Sequence, residues 1–414
     1  MYTFELLTEE EYKAFQEKHE FANFLNSIES SKLRAYEGFK TEYVGVKEDG
    51  KVVAATILAS TKIMKIFRYY NAQRGLLVDY SNLELLSFFT KELKNYLKKQ
   101  KALFLMANPH IIFETRNNEG ELIEGNDNSY ILDNMKKVGF LHSGFNDQLK
   151  VNSEVQWEYS LYLNGMNEDE VLKHISAKTR YDINKSHKQK VKVRKLEKNE
   201  IDIFFNIYKG TAKNKDFDYL LRDDQHYLNM LDFYDGHICI YLAYLNPNET
   251  LEQALVDKTE LEKKIEVVNE QLETKTNKTL LNKIKEFNIQ LDAKNKIIEE
   301  MNILNKEYGD EAPLSAAMFI DYPYEISYMY SGSSDDAKLR KFCGTYAIQW
   351  ETIKYAIDHN INHYNFYGFS GDFSGNDGVL DYKRGFNGVA EKMIGEFELP
   401  VKPIMYKLYR AIKK

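Results

Sequence analysis

The 414-residue chain holds two cysteines, Cys239 and Cys343, and six prolines. Two thiols are too few for a disulfide framework or a Cys-rich zinc site, and they fit a reducing compartment. No run of 18 apolar residues occurs, so no membrane-spanning helix is expected. The opening Met1-Tyr2-Thr3-Phe4-Glu5 lacks the basic and apolar regions of a secretory signal, and the expected location is the cytoplasm. An excess of positive charge is also missing. The 63 Asp and Glu outnumber 56 Lys and Arg, giving a net charge of −7, which argues against a protein that coats nucleic acid over its whole surface.

Several chemical signatures are absent as well. There is no G-x-x-x-x-G-K-[ST] phosphate loop and no G-x-S-x-G nucleophile elbow. Among nine histidines only His359 and His363 stand four apart. Asn360-Ile361-Asn362 between them reads as a helix exit, so no metal site is expected. The Gly-rich residues 368–378 also fail the spacing of a calcium loop and read as a turn leaving a strand. No Gln or Arg is followed three residues on by Gly, so the [QR]-x-x-G-x-[GA] pyrophosphate loop of acyl-CoA N-acetyltransferases is missing. CoA is not the expected donor, and no cofactor is expected.

What is present is a globular composition, 43% hydrophobic and 29% charged, with a length that suggests about two or three domains. Residues 43–46 and 52–58 flank Glu48-Asp49-Gly50-Lys51 as a β-hairpin. Over 83–100, apolar residues at 85, 86, 89, 93 and 97 make a helical stripe. Residues 102–106 form a buried strand stopped by Asn108-Pro109. The same mixed α/β texture returns with strands at 315–320, 326–330 and 363–369. A helix is expected over 346–359, with Ile348, Ile353, Ala356 and Ile357 on its inner side.

Between 251 and 304 there is no Pro, no Gly and one aromatic residue, Phe287. Leu261, Ile265, Val268 and Leu272 step by helical intervals, as do Ile284, Phe287 and Leu291. Ile298 and Met301 continue that seam, with Lys294 interrupting it. The polar residues 274–279 between the runs predict an antiparallel coiled-coil hairpin, entered at Asn246-Pro247 and left between Gly309 and Pro313. Residues 173–195 are a different anomaly, with nine Lys and Arg against one acid, Asp182. A local excess of +8 in an acidic chain reads as a polyanion-binding patch; a solvated helix face followed by a strand is the alternative.

Seven stretches recur in a recognisable order: Asn71-Ala-Gln-Arg74-Gly75-Leu-Leu-Val-Asp79-Tyr80, Gly139-Phe-Leu-His-Ser-Gly144-Phe145, Val191-Lys-Val-Arg194, Tyr328-Met-Tyr330-Ser-Gly332, Tyr364-Asn-Phe-Tyr-Gly368-Phe-Ser-Gly371, Asp381-Tyr-Lys383-Arg-Gly385-Phe386-Asn387 and Ile394-Gly-Glu-Phe397. On these the chain resembles the Fem family of aminoacyltransferases, from about residue 4 to residue 414. That family builds the interpeptide bridge of peptidoglycan. The resemblance implies an α/β (α+β) fold of two acetyltransferase-like domains with an inserted antiparallel coiled-coil arm. The first domain would be residues 1–150. The second would be 151–246 and 309–400, interrupted by the arm at 247–308, and a basic tail would occupy 401–414.

It also implies a reaction, needing no cofactor. An amino acid (Gly, Ala or Ser) would pass from aminoacyl-tRNA to the stem peptide or growing bridge of a lipid-linked or UDP-linked muramyl peptide precursor. The site of action would be the inner face of the cell membrane, with peripheral membrane contact. Association as a homodimer or with a paralogue stays open, and the arm is either a dimerisation element or a tRNA contact. The competing reading is a non-catalytic tRNA-binding or scaffolding paralogue that acts through its coiled coil.

By the same resemblance Lys383 stands near the tRNA terminus and the reacting ester and is the expected catalytic group. Asn108 replaces an Asp common in relatives, which leaves it to orient the amine rather than take its proton. Arg34 (usually Lys) and Arg222 are expected on the precursor's phosphates. Tyr227, one position off register, joins them, with Tyr328 and Tyr330 along the channel. For Arg222 a surface ion pair with Asp223 or Asp224 is the alternative, and for Tyr328 and Tyr330 a place in the core. Lys178, Arg180, Lys185, Lys188, Lys192 and Arg194 are expected on tRNA phosphates. Leu76 and Gln156, which replace a Pro and an Arg, are further departures. Aminolysis of a ribose ester is downhill, and alignment alone supplies about 7–11 kcal/mol, so no Ser-His-Asp triad is required.

Overall fold

The structure, a computed structural model, describes residues 1–123, 127–145, 155–215, 221–275 and 277–413. Two twisted mixed sheets organise it. The first runs in the order Tyr2–Leu6, Lys40–Glu48, Lys51–Ile63, Phe67–Ala72, Ala102–Ala107, Phe397–Pro400 and Leu141–His142. Its hairpin closes through Asp49 and Gly50, both at positive φ, the backbone that an Asp-Gly turn supplies at low cost. The helix Leu83–Lys99, capped by the Asn82 side chain, covers this sheet with Leu85, Leu86, Phe89, Leu93 and Leu97.

The second sheet runs Lys192–Lys195, Ile238–Leu245, Ala312–Tyr322, Glu325–Ser333, His363–Phe369, Trp157–Tyr162, Val389–Met393, Ile112–Arg116 and Leu122–Ile123. The helix Gly344–Asp358 packs on one face through Ile348, Ile353 and Ala356, with Ile357 only half-buried. The helix Ile201–Asn214 packs on the other through Phe204, Ile207 and Tyr208. Strands are exchanged between the sheets. Ile112–Arg116 pairs with Val389–Met393 in the second sheet, whereas the late strand Phe397–Pro400 pairs with Ala102–Ala107 in the first. The chain therefore crosses from one layer to the other on both sides of its midpoint.

The arm is two helices, Pro247–Thr274 and Lys278–Tyr308, inserted between neighbouring antiparallel strands of the second sheet. Asn246 and Asn277 cap their N-termini, and Pro247 occupies the first turn, where its missing N–H costs nothing. Pro247, Ala254, Leu261, Val268, Met301 and Leu304 are the buried residues of the pair among those described. Lys294, the break in the apolar seam, pairs with Asp257 on the facing helix. The root of the arm reaches the main core through Met301 and Leu304, with Leu251, Ile297 and Tyr308 packed against it. Leu304→Ala is expected to cost about 2–5 kcal/mol, seen as a lower urea midpoint, whereas Leu281→Ala on the exposed side costs less than about 0.5 kcal/mol.

Candidate active site

Arg74 follows the strand Phe67–Ala72 and reaches into the second sheet. Its Nη2 lies 2.6 Å from Glu158 Oε1, and the two side chains are 2% and 1% exposed. The Arg74 backbone is fixed from both ends. Its N–H donates to Asn108 Oδ1 at 2.9 Å, and its carbonyl accepts from Asn26 Nδ2 at 2.8 Å. Glu158 Oε2 accepts from Asn365 Nδ2 at 2.7 Å and faces His110 Nε2 at 3.5 Å. Burial alone would raise the Glu158 pKa; the Arg74 guanidinium, with His110 and Asn365, more than reverses this and leaves it at about 2.

From Asn365 the chain of hydrogen bonds continues to Lys383. Asn365 Oδ1 accepts from Tyr367 N at 2.7 Å, and Lys383 Nζ donates to Tyr367 O at 2.9 Å and Gly368 O at 2.6 Å. Lys383 sits in the short helix Gly378–Arg384, whose first turn is capped by Asp377. The Gly-rich turn is thus ordered, since Asp377 Oδ2 also accepts from the Ser370 amide and hydroxyl. Burial lowers the Lys383 pKa to about 7, against opposing pulls from Asp377 and Glu158. Asn108 is buried, and its Nδ2 meets no hydrogen-bond partner among the described residues. Because Oδ1 is taken by the Arg74 amide, Asn108 offers a donor to the site.

A second group lies between the helices Ile28–Tyr36 and Asp224–Phe233. These pack through Tyr36 on Phe233, with rings 5.4 Å apart, and through Glu37 on His226 at 2.9 Å. Arg34, half-buried, donates to Gln73 Oε1 at 2.6 Å and lies over the Phe39 ring. Arg222 is exposed, and its backbone N–H donates to Tyr227 OH at 3.1 Å. Tyr227 is buried edge-on against Tyr330, 5.1 Å away, and against Tyr208. Tyr328 is not with them. Met318 pairs with Tyr330 and the adjacent Phe319 with Tyr328, so Met329 is an extra residue in its strand. The bulge turns Tyr328 into the core on the other face, against Phe319 and Phe366.

The basic segment divides in the same way. Arg194 is clamped by Glu311 and Glu200, both at 2.7 Å from Nη2, and these two acids raise its pKa. Lys192 pairs with Glu249 at 2.6 Å, and Arg180 donates to the Leu172 carbonyl at 2.8 Å. Lys178 and Lys188 are exposed on the helix Ala177–Lys188 and form no ion pair among the described residues; Lys185 is half-buried. This helix is seated on the Lys383 segment. Ser176 N donates to Gly385 O at 2.9 Å, and a Cβ on Gly385 would lie 2.2 Å from Thr179 Oγ1, so only glycine fits that contact.

Residues 7–414 match the FemAB family. The aminoacyltransferase FemA of Staphylococcus epidermidis is 35% identical over 99% of this chain and 98% of its own length. The aminoacyltransferase FemA of Staphylococcus aureus (strain bovine RF122) is 34% identical over 99% of this chain and 97% of its own length. The chain belongs to the FemAB family. The crystal structure of FemX shares its fold, with a TM-score of 0.82 and 23% identity over 98% of this chain and 99% of that one.

Within this FemAB fold, sequence reasoning passed over the buried carboxylates. Besides Glu158, Glu325 Oε2 lies 3.2 Å from His363 Nδ1, and Glu391 accepts from Ser160 Oγ and Tyr162 OH, each at 2.7 Å. His363 Nε2 is 2.9 Å from Ser160 Oγ and closes the network. The signal was the alternation Glu158, Ser160, Tyr162 in an otherwise apolar strand, which puts three polar groups on one face. Cys239 is buried, with its thiol pushed up to about 12 by burial, and Cys343 is half-buried. Among the described residues no cluster of metal-ligating side chains forms, and no helix is long and apolar enough to cross a membrane.

Breaking one side of the buried pair, by Arg74→Met or Glu158→Met, is expected to cost about 3–5 kcal/mol. The double replacement should cost less than the sum of the singles, because neither partner is then left charged and alone. A double-mutant cycle in urea measures both values.

Proposed function

We propose that this chain, an aminoacyltransferase of the FemAB family, moves an amino acid from aminoacyl-tRNA to the peptide of a lipid-linked or UDP-linked muramyl precursor. The work would be done at the inner face of the membrane. The observation that carries the reading is Lys383, a buried amine whose Nζ donates to the Tyr367 and Gly368 carbonyls and whose pKa burial lowers to about 7. A neutral amine has two N–H bonds. The carbonyls of Tyr367 and Gly368 accept both, so its lone pair is the one group left for proton transfer.

In the proposed step the acceptor amine attacks the ester carbonyl, a C–N bond forms, and the C–O bond to the ribose breaks. Lys383 takes the proton that the amine nitrogen sheds and returns it to the leaving ribose oxygen. Asn108 Nδ2 donates to the oxygen that becomes negative at the tetrahedral stage, a contribution of about 2.7–4 kcal/mol where such a donor is well placed. Arg34 and Arg222 hold the precursor's phosphates, with Tyr227 and Tyr330 as the wall between them. Lys178, Lys185 and Lys188 track the tRNA backbone. Because their helix rests on the Lys383 segment, tRNA bound there would present its 3′ end to the same locality. Lys192 and Arg194 serve the fold through their acids, and Tyr328 serves the core.

Charged tRNA carrying a radiolabelled amino acid should transfer label to a precursor in the presence of this protein. No transfer to any lipid- or UDP-linked stem peptide, across all charged tRNAs, would rule the reading out. Below about pH 7 Lys383 is protonated and cannot accept, so kcat/KM should rise about tenfold per pH unit and level off above it. Lys383→Met should remove that limb and lower kcat by about 10²–10⁴, and Lys383→Arg, which stays charged, should not restore it. Arg34→Gln and Arg222→Gln are expected instead to raise the precursor KM by about tenfold with little change in kcat.

A further inference from the structure

The helix Pro403–Lys413 uses one face to close the first sheet. Tyr406 is buried there, and Met405 and Tyr409 pack with it on Leu103 and Phe104. Its other face is exposed and apolar. Ile404 is 84% exposed, Leu408 50% and Ile412 71%, at the i, i+4, i+8 spacing of a single stripe. A second exposed apolar group lies beside it. Ile63 and Phe67 belong to the cluster that holds Tyr406, and the tip between them exposes Met64 and Ile66, the latter by 68%. Lys402 lies over the Phe67 ring and ties the start of the helix to this tip.

The two segments that build this surface carry charge of one sign. Residues 60–68 and 402–414 carry eight Lys and Arg and no Asp or Glu. Arg410 turns inward to Glu398, which Tyr406 OH also covers, whereas Lys62, Lys65 and Lys407 are exposed. A helix with an exposed apolar stripe and a lysine rim is the form that lies in the plane of a lipid interface, with its apolar side in the acyl boundary and its cations among anionic headgroups. A helix of 11 residues is too short to span a bilayer.

We propose that the helix Pro403–Lys413 and the tip at Met64 and Ile66 form one surface that docks on an anionic lipid bilayer. Its position suits the proposed function, on which this part of the inference rests. The strand Phe67–Ala72 runs from the tip to Gln73, the partner of Arg34. Six residues at about 3.3 Å each span about 20 Å. Midway along it, Tyr69 feels the charges of both Arg34 and Arg410. A precursor whose diphosphate met Arg34 would thus keep its lipid within reach of the bilayer that this surface grips.

The test is sedimentation of the full chain with vesicles of equimolar phosphatidylglycerol and phosphatidylethanolamine, and with phosphatidylcholine vesicles, in the absence of any precursor. The wild type should sediment with the anionic vesicles, lose most of that binding in high salt, and stay in solution with the neutral ones. The triple change Ile404→Asp, Leu408→Asp, Ile412→Asp and, separately, Ile66→Asp should each weaken binding by at least about tenfold. Unchanged melting curves would show that both variants fold, and both should keep transfer to a soluble UDP-linked precursor. Absence of wild-type binding to anionic vesicles overturns the proposal, as does equal binding by folded variants. So does a concentration-dependent dimer that the triple change abolishes without affecting vesicle binding. Vesicle binding without any transfer would leave the surface standing and remove the proposed reaction.

Discussion

The Arg74–Glu158 pair is a buried ionic link between the two sheets, set beside the apolar contact that Phe24 and Leu33 make with the second sheet. Taking both charges out of water costs several kcal/mol per ion, so such a pair persists only where further hydrogen bonds complete it. Here they do, and each one places something else. The Arg74 amide sets the orientation of Asn108, its carbonyl holds Asn26, and Asn365 carries the Glu158 charge to the backbone that cradles Lys383. The strand exchange has the same effect at larger scale. Neither sheet is complete without a strand from a distant part of the chain, so the two layers cannot drift apart without breaking ladders in both.

Three carboxylates on neighbouring strands would repel one another if all were charged in a dry interior. The environments differ enough to avoid this. Glu158 has the guanidinium and stays ionised. Glu391 is held above the usual carboxylate range by burial, against the pull of His363 and its two hydroxyl donors. Asn365 bridges the Glu158 and Glu325 carboxylates with one amide group, at 2.7 and 3.3 Å. The polar face of this sheet is therefore a graded field, with Lys383 at one end close enough to feel Glu158.

Local periodicity carried most of the fold. The hairpin at Asp49-Gly50, the helix over Leu83–Lys99 and the two-helix arm all follow from turn chemistry and apolar spacing within one element. What stayed illegible depends on partners far along the chain. Nothing near residue 397 indicates that Phe397–Pro400 leaves its neighbours for the first sheet. A count of charges over 173–195 cannot see Glu311, which arrives from more than a hundred residues away to occupy Arg194. Tyr328 and Tyr330 share a face by period-2 arithmetic, and a single extra residue, Met329, separates them. The site was half legible. Lys383 and Asn108 came from family resemblance, but the ion pair that fixes them shows in the sequence only as polar residues at alternate positions of an apolar strand.

The arrangement also resolves the conflict between an acidic protein and a proposed polyanionic donor. Part of the basic segment is taken up by acids, whereas Lys178 and Lys188 stay exposed on a helix whose N-terminal turn rests on Gly385. The segment 173–195 itself holds one acid, Asp182, and the other 62 lie elsewhere in the chain. Long-range attraction is screened beyond about 8–10 Å at physiological salt, so distant acids weaken such a helix little. A phosphate backbone meeting it would respond to the local excess rather than to the sum of −7. The same screening lets the lysine rim around Ile404 and Leu408 act separately. One acidic chain can therefore present two cationic faces to two different partners.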